Sequence, residues 1–93
     1  MSIPFNEKLK AIRKAEGFTQ VQFAELTGIS ISTIKKIDSG VNQHLHAETL
    51  QKVASVPDFQ KYALWLLTDQ VNPEGGQISP EIKQQATQLK TGS

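Results

Sequence analysis

The chain has no cysteine. That removes disulfide staples and thiolate-held metal sites as sources of stability, and it fits a reducing, cytoplasmic setting without requiring one. Aromatic residues are scarce, at 6% of 93, and the longest apolar run, residues 62–67, is far too short to cross a bilayer. The opening stretch Met1-Ser2-Ile3-Pro4-Phe5-Asn6 lacks the basic and apolar regions of a secretory signal. Charge of one sign is missing too: 10 Lys+Arg against 9 Asp+Glu leave a net +1, so no global basic excess points to nucleic acid. What remains, 38% hydrophobic and 20% charged, is the composition of a folded chain. At this length one small domain is expected, with no cofactor and no second domain for catalysis, which weighs against most enzymes. Helix packing and a partner chain are expected to supply the stability.

Hydrophobic periodicity predicts helices throughout. Over residues 5–16, Phe5, Leu9 and Ile12 recur at helical spacing, with Lys8, Lys10 and Lys14 assigned to the rest of the circumference. Gly17 closes that helix, and Thr19 with Gln22 forms a capping box for the next, residues 20–27, with Phe18 stapled onto Phe23. Gly28 breaks the chain again. Ser30 then stands at an N-cap position, flanked by a second staple, Ile29 and Ile34, before a third helix over residues 31–39. On its wheel Thr33, Ile34 and Ile37 share one side, while Ser32, Lys35, Lys36 and Ser39 form an opposite face that is small, polar and basic.

Residues 41–46 carry no period and read as a loop. Ala47, Leu50, Val53 and Ala54 make the stripe of a fourth helix, residues 47–55, which Val56-Pro57 ends. A fifth is expected over residues 57–69, with Phe59, Tyr62, Ala63 and Leu66 on the core stripe. Leu64, Trp65 and Leu67 fall off that stripe and, with Ile78, are assigned to a dimer contact. Residues 1–70 are thus expected to form the domain. Residues 71–93 form an extension: turn residues 72–77, then a marginal helix starting at Ser79-Pro80-Glu81 and carrying Ile82, Ala86 and Leu89, fraying from Lys90.

Two short helices joined by a glycine turn, the second with a small polar and basic outer face, describe a helix-turn-helix. The spacing is specific. Counting from Gln20, Ala24 stands fifth and allows close helix approach, Gly28 ninth permits the turn, and Ile34 fifteenth and Ile37 eighteenth anchor the second helix. This resembles the lambda-repressor and Cro superfamily over about residues 9–53. The fold it implies is all-α: a five-helix domain plus the short carboxyl-terminal dimerisation extension. Phe59-Gln60-Lys61-Tyr62-Ala63-Leu64-Trp65 and Asn72-Pro73-Glu74-Gly75-Gly76-Gln77-Ile78-Ser79-Pro80 further resemble the immunity repressors of P-two-type temperate phages.

That resemblance implies a homodimer that occupies double-stranded operator DNA over an early lytic promoter. Gln20 matches the glutamine that binds phosphate at the first turn of the second helix. Ser30, Ile31, Ser32, Lys35, Lys36 and Ser39 occupy recognition positions, where the sequence departs from the Gln- and Arg-rich pattern of better known relatives. Lys36 can donate to guanine, Ser32 can read several base edges, Ile31 can touch a thymine methyl, and Lys35 suits a phosphate. Asn42 and Gln43, with His44 and His46, add backbone contacts. Arg13 and Asp38 match a salt-bridged pair linking the first and third helices. The chain has no room for the self-cleaving domain of lambda-type repressors, so an anti-repressor or competing protein is expected to inactivate it.

Plainer readings stand beside these. Lys35 and Lys36 alone would be a solvated helix face; the helix-turn-helix spacing decides against that. Ile31 serves equally as a packing residue. His44, His46 and Glu48 are read as loop residues and not as a metal site. Trp65 and Tyr62 suit packing better than a ligand pocket, and Ser30, Ser32 and Ser39 have no nearby general base. Two other functions keep the same fold: an antitoxin that also covers a toxin, and a helical protein-interaction module.

Overall fold

The computed structural model describes residues 3–41 and 45–91, with the side chains of the last helix described as far as residue 86. Its architecture is all-α. Helix α1, Phe5–Ala15, ends where Gly17 takes φ 75°; the Phe18 N–H then reaches the Arg13 carbonyl and the Gly17 N–H that of Lys14, both at 3.1 Å. These two bonds satisfy carbonyls that the helix end would otherwise leave open. Helix α2, Gln20–Thr27, opens on the expected capping box: the Gln22 N–H donates to Thr19 Oγ1 at 3.1 Å and the Thr19 N–H to Gln22 Oε1 at 2.9 Å. Gly28, at φ 76°, closes α2 by donating its N–H to the Ala24 carbonyl and redirects the chain. Helix α3, Ile31–Ser39, starts at Ser30, whose Oγ accepts from the Thr33 N–H. Helix α4 is Ala47–Ala54.

The fifth expected helix is instead two pieces, a 3₁₀ helix Pro57–Tyr62 and then α5, Ala63–Thr68. The change of winding matters. Three residues of 3₁₀ helix complete a full turn against about 300° for α, which swings Trp65 roughly 60° toward the stripe of Phe59 and Tyr62. Trp65 is consequently a core residue, 8% exposed, and not part of an outward face. Phe59 joins the two ends of the α2 entry, with ring centroids 5.8 Å from Phe18 and 5.2 Å from Phe23. Phe18 and Phe23, expected to staple onto each other, thus each pack against the Phe59 ring.

The extension packs on its own chain. Asn72 and Gln77 exchange backbone hydrogen bonds across a tight turn containing a short 3₁₀ helix, Pro73–Gly75. The Gln77 side chain ties that turn down, accepting from the Leu64 N–H and donating to the Gln60 carbonyl, each at 3.0 Å. Ile78 donates its N–H to the Lys61 carbonyl and packs against the core. Helix α6, Pro80–Thr91, then lies against α1, which supplies the surface that an isolated helix of this length lacks. The side chain of Leu89 and the last two residues of the expected fraying tail lie outside the described residues. Among the described residues no helix is long and apolar enough to cross a membrane.

One charged residue departs from its expected place. Lys8 is three residues from Phe5 and four from Ile12, so it lies on the buried stripe of α1 and is 2% exposed. Its ammonium donates to the carbonyls of Trp65 and Leu66 in α5, the first of which also accepts the Asp69 N–H.

Candidate nucleic-acid interface

Burial of Ile34 and Ile37, each 1% exposed, fixes which side of α3 faces outward. Ile29, just before the helix, is buried with them and holds the turn on the core. With a helical repeat of 3.6 residues, anchoring those positions turns Ser32, Lys35, Lys36 and Ser39 to solvent, and all four are exposed. Ser30 is exposed at the N-cap and Ile31 half-buried. The surface therefore gathers six of the sequence-derived recognition positions on one helix. Among the described residues neither Lys35 nor Lys36 is in an ion pair, so both ammonium groups are available to an anionic partner.

The hydroxyls are less free than the lysines. Ser30 Oγ donates to Thr33 Oγ1 at 2.8 Å while lying 3.3 Å from Ser32 Oγ, and Ser39 Oγ donates to the Lys36 carbonyl. Each can still accept, and Ser32 can turn toward a partner at the loss of one weak contact.

Behind α3 lies a compact polar group. Arg13 Nη2 donates to Asp38 Oδ2 at 2.8 Å, joining α1 to α3 as expected, with side chains 14% and 11% exposed. Arg13 Nη1 also donates to the Phe18 carbonyl in the turn before α2. Gln20 was expected to face a phosphate from the start of α2. Its Nε2 in fact donates to the same Asp38 oxygen at 2.8 Å, a contact the sequence reading missed. Asp38 recurs one turn after Ile34 on the inner side of α3, so its nearness to Gln20 follows from packing α2 on α3 and has no local sequence signal.

Asn42, Gln43 and His44 lie outside the described residues. His46 is exposed and Glu48 pairs with Lys52 at 3.6 Å; no cluster able to hold a metal ion occurs among the described residues. Of the four positions assigned to a dimer contact, Leu67 is 59% exposed and Leu64 half-buried, whereas Trp65 belongs to the core and Ile78 packs against it.

Comparison with known proteins agrees with this geometry. The model of the family described as "Helix-turn-helix" matches residues 9–60. Over 82 residues the chain is 35% identical to "Repressor protein C" of Escherichia phage P2, covering 88% of this chain and 82% of that protein. It is 38% identical over 53 residues to "Uncharacterized HTH-type transcriptional regulator RghRB" of Bacillus subtilis (strain 168), covering 57% of this chain and 38% of that protein. A glycine-turned pair of capped helices, an outward face carrying two adjacent lysines and these matches together place the chain in the helix-turn-helix family of lambda-repressor-like DNA-binding transcriptional regulators.

Proposed function

We propose that the protein is a repressor of the temperate-phage type, which binds operator DNA as a homodimer and keeps polymerase from an early lytic promoter. The observation that carries this reading is the outward face of α3, where two lysines that form no ion pair among the described residues, with small hydroxyl side chains, leave room for base edges and phosphates. The similarity to a phage repressor over most of the chain supports the biological setting. In this reading Lys36 reads guanine, Ser32 and Ile31 read neighbouring bases, and Lys35, Gln20 and Ser39 meet the backbone, with Asn42 and Gln43 extending that contact.

A dimer suits a duplex because two recognition helices one helical turn apart read two half-sites. Exposed Leu67 borders an apolar trough of about 350 Å³ lined by Ala47, Leu50 and Ala54, and Leu64 lies on the same helix. Self-association through this face covers apolar surface that one copy leaves open. Action at the nucleoid of a bacterial host, and release by an anti-repressor or competing protein, belong to the same reading.

The test is a titration against the DNA upstream of the protein's own gene and against an unrelated duplex, at two salt concentrations. A preference of about a thousandfold or more that survives the higher salt is expected. Equal affinities erased by salt would leave only phosphate attraction and overturn the operator assignment.

A further inference from the structure

We infer that Asp38 is a positioning residue for the phosphate contact, holding the Gln20 amide with its nitrogen end presented to DNA while Arg13 cancels the charge that doing so introduces. The inference rests on the reading above, in which Gln20 meets the DNA backbone.

A glutamine amide has two ends of similar size and opposite chemistry, an oxygen that accepts and an NH₂ that donates. A phosphate only accepts, so the oxygen end is the wrong one to present. An unrestrained amide at the start of α2 would interconvert between the two. Asp38 removes the choice. Its carboxylate paired with Arg13 is acceptor-only, and its Oδ2 takes Gln20 Nε2 at 2.8 Å. The same nitrogen carries a second hydrogen, for which no acceptor is present among the described residues.

The holder is itself well fixed. Asp38 and Arg13 have side chains 11% and 14% exposed and neighbour the buried Ile37 and Ile12. Arg13 is also held by the Phe18 carbonyl, in the turn that delivers Gln20. A lone carboxylate beside a phosphate would repel it; the Arg13 charge 2.8 Å away offsets that repulsion. Arg13, Asp38 and Gln20 together carry no net charge, yet they present a donor.

The test is a double-mutant cycle in affinity for a short mixed-sequence duplex at low salt, using the full chain, Gln20→Ala, Asp38→Ala and the double variant. Asp38→Ala is expected to weaken binding about fivefold when Gln20 is present and less than about twofold when it is replaced. Equal losses in both backgrounds would make Asp38 a structural tie only and overturn the inference. No loss from Gln20→Ala would overturn the phosphate role of Gln20 itself, a separate failure. A second measurement does not depend on the variants folding: in the unsubstituted protein, adding duplex is expected to shift one Gln20 side-chain amide hydrogen by NMR and leave the Asp38-bonded one in place. If neither moves, the inference fails.

Discussion

Lys8 Nζ donates to the Trp65 carbonyl at 3.1 Å and lies 5.3 Å from the centre of the same residue's ring. It donates also to the Leu66 carbonyl at 3.0 Å and pairs with the Asp69 carboxylate. A helix end leaves carbonyls unpaired and carries partial negative charge, so an ammonium placed there from another helix satisfies both. Lys8→Met keeps the stem and removes the donors. The Trp65 carbonyl keeps the Asp69 N–H at 2.9 Å while the Leu66 carbonyl loses its donor, so the expected loss is about 1–3 kcal/mol, with little from the Asp69 carboxylate, whose side chain is 38% exposed. The check is the urea midpoint at unchanged slope; a loss below about 0.5 kcal/mol would mean that water replaces the ammonium without penalty.

Acid should weaken the fold through Glu16. Its Oε2 accepts from the Tyr62 hydroxyl at 2.7 Å and its Oε1 from Lys61 Nζ at 3.0 Å, with Lys83 Nζ 3.9 Å away. Burial by itself raises the carboxyl pKa, but the hydrogen bonds from Tyr62 and Lys61 and the charges of Lys61 and Lys83 outweigh it, so the net shift is below the ordinary 4.5. A depressed pKa contributes stability above the unfolded value, lost as pH falls through the folded one. The melting temperature of the unsubstituted protein is expected to fall below about pH 4.5, while Glu16→Gln melts lower at neutral pH and has a flatter acid limb. Parallel acid limbs would assign the loss to other carboxylates. Tyr62 is shifted upward by burial and by the Glu16 carboxylate, so the same contact also costs stability as the pH rises past the ordinary tyrosine range.

Local signals carried the helix-turn-helix, and they carried it because every one of them acts within a few residues. The Thr19–Gln22 box, Gly28 and the Ser30 cap each satisfy backbone groups of their own helix end, so the spans of α2 and α3 could be read directly. Contacts between distant segments could not. Tyr62 meets Glu16 across 46 positions and Lys8 meets Trp65 across 57, with nothing in either stretch naming the other. Lys8 did leave a trace, since its spacing from Phe5 and Ile12 puts it on the apolar stripe. The 3₁₀ winding of Pro57–Tyr62 left less: a proline at the start of a helix suits either geometry, and only packing on Phe18 and Phe23 distinguishes them.

Because Trp65 is buried and Leu67 is exposed, the proposed dimer contact is tested at Leu67. Trp65→Ala empties a core position and is expected to destabilise the fold by about 3–5 kcal/mol, so any change in association would follow unfolding. Leu67→Glu places a charge on an exposed position beside the Ala47, Leu50 and Ala54 trough. It is expected to give a folded monomer by sedimentation, with an unchanged helical spectrum and weakened operator binding. A folded dimer that still binds would put the partner surface elsewhere.

Neighbouring lysines on α3 should separate by function. Base readers add preference and phosphate contacts add affinity for any duplex, so the two are distinguished by measuring both on operator and unrelated DNA. Lys36→Ala is expected to lose about 1–3 kcal/mol of preference for operator, with a smaller effect on unrelated DNA. Lys35→Ala should weaken both about equally and lower the salt slope by about 0.9, the counterion released by one phosphate contact. Gln20→Ala should also weaken both, but with the slope unchanged because an amide carries no charge to neutralise a phosphate. Identical behaviour of the two lysine variants would mean that α3 sits on the backbone without a base contact from Lys36, leaving Ser32 and Ile31 to account for specificity.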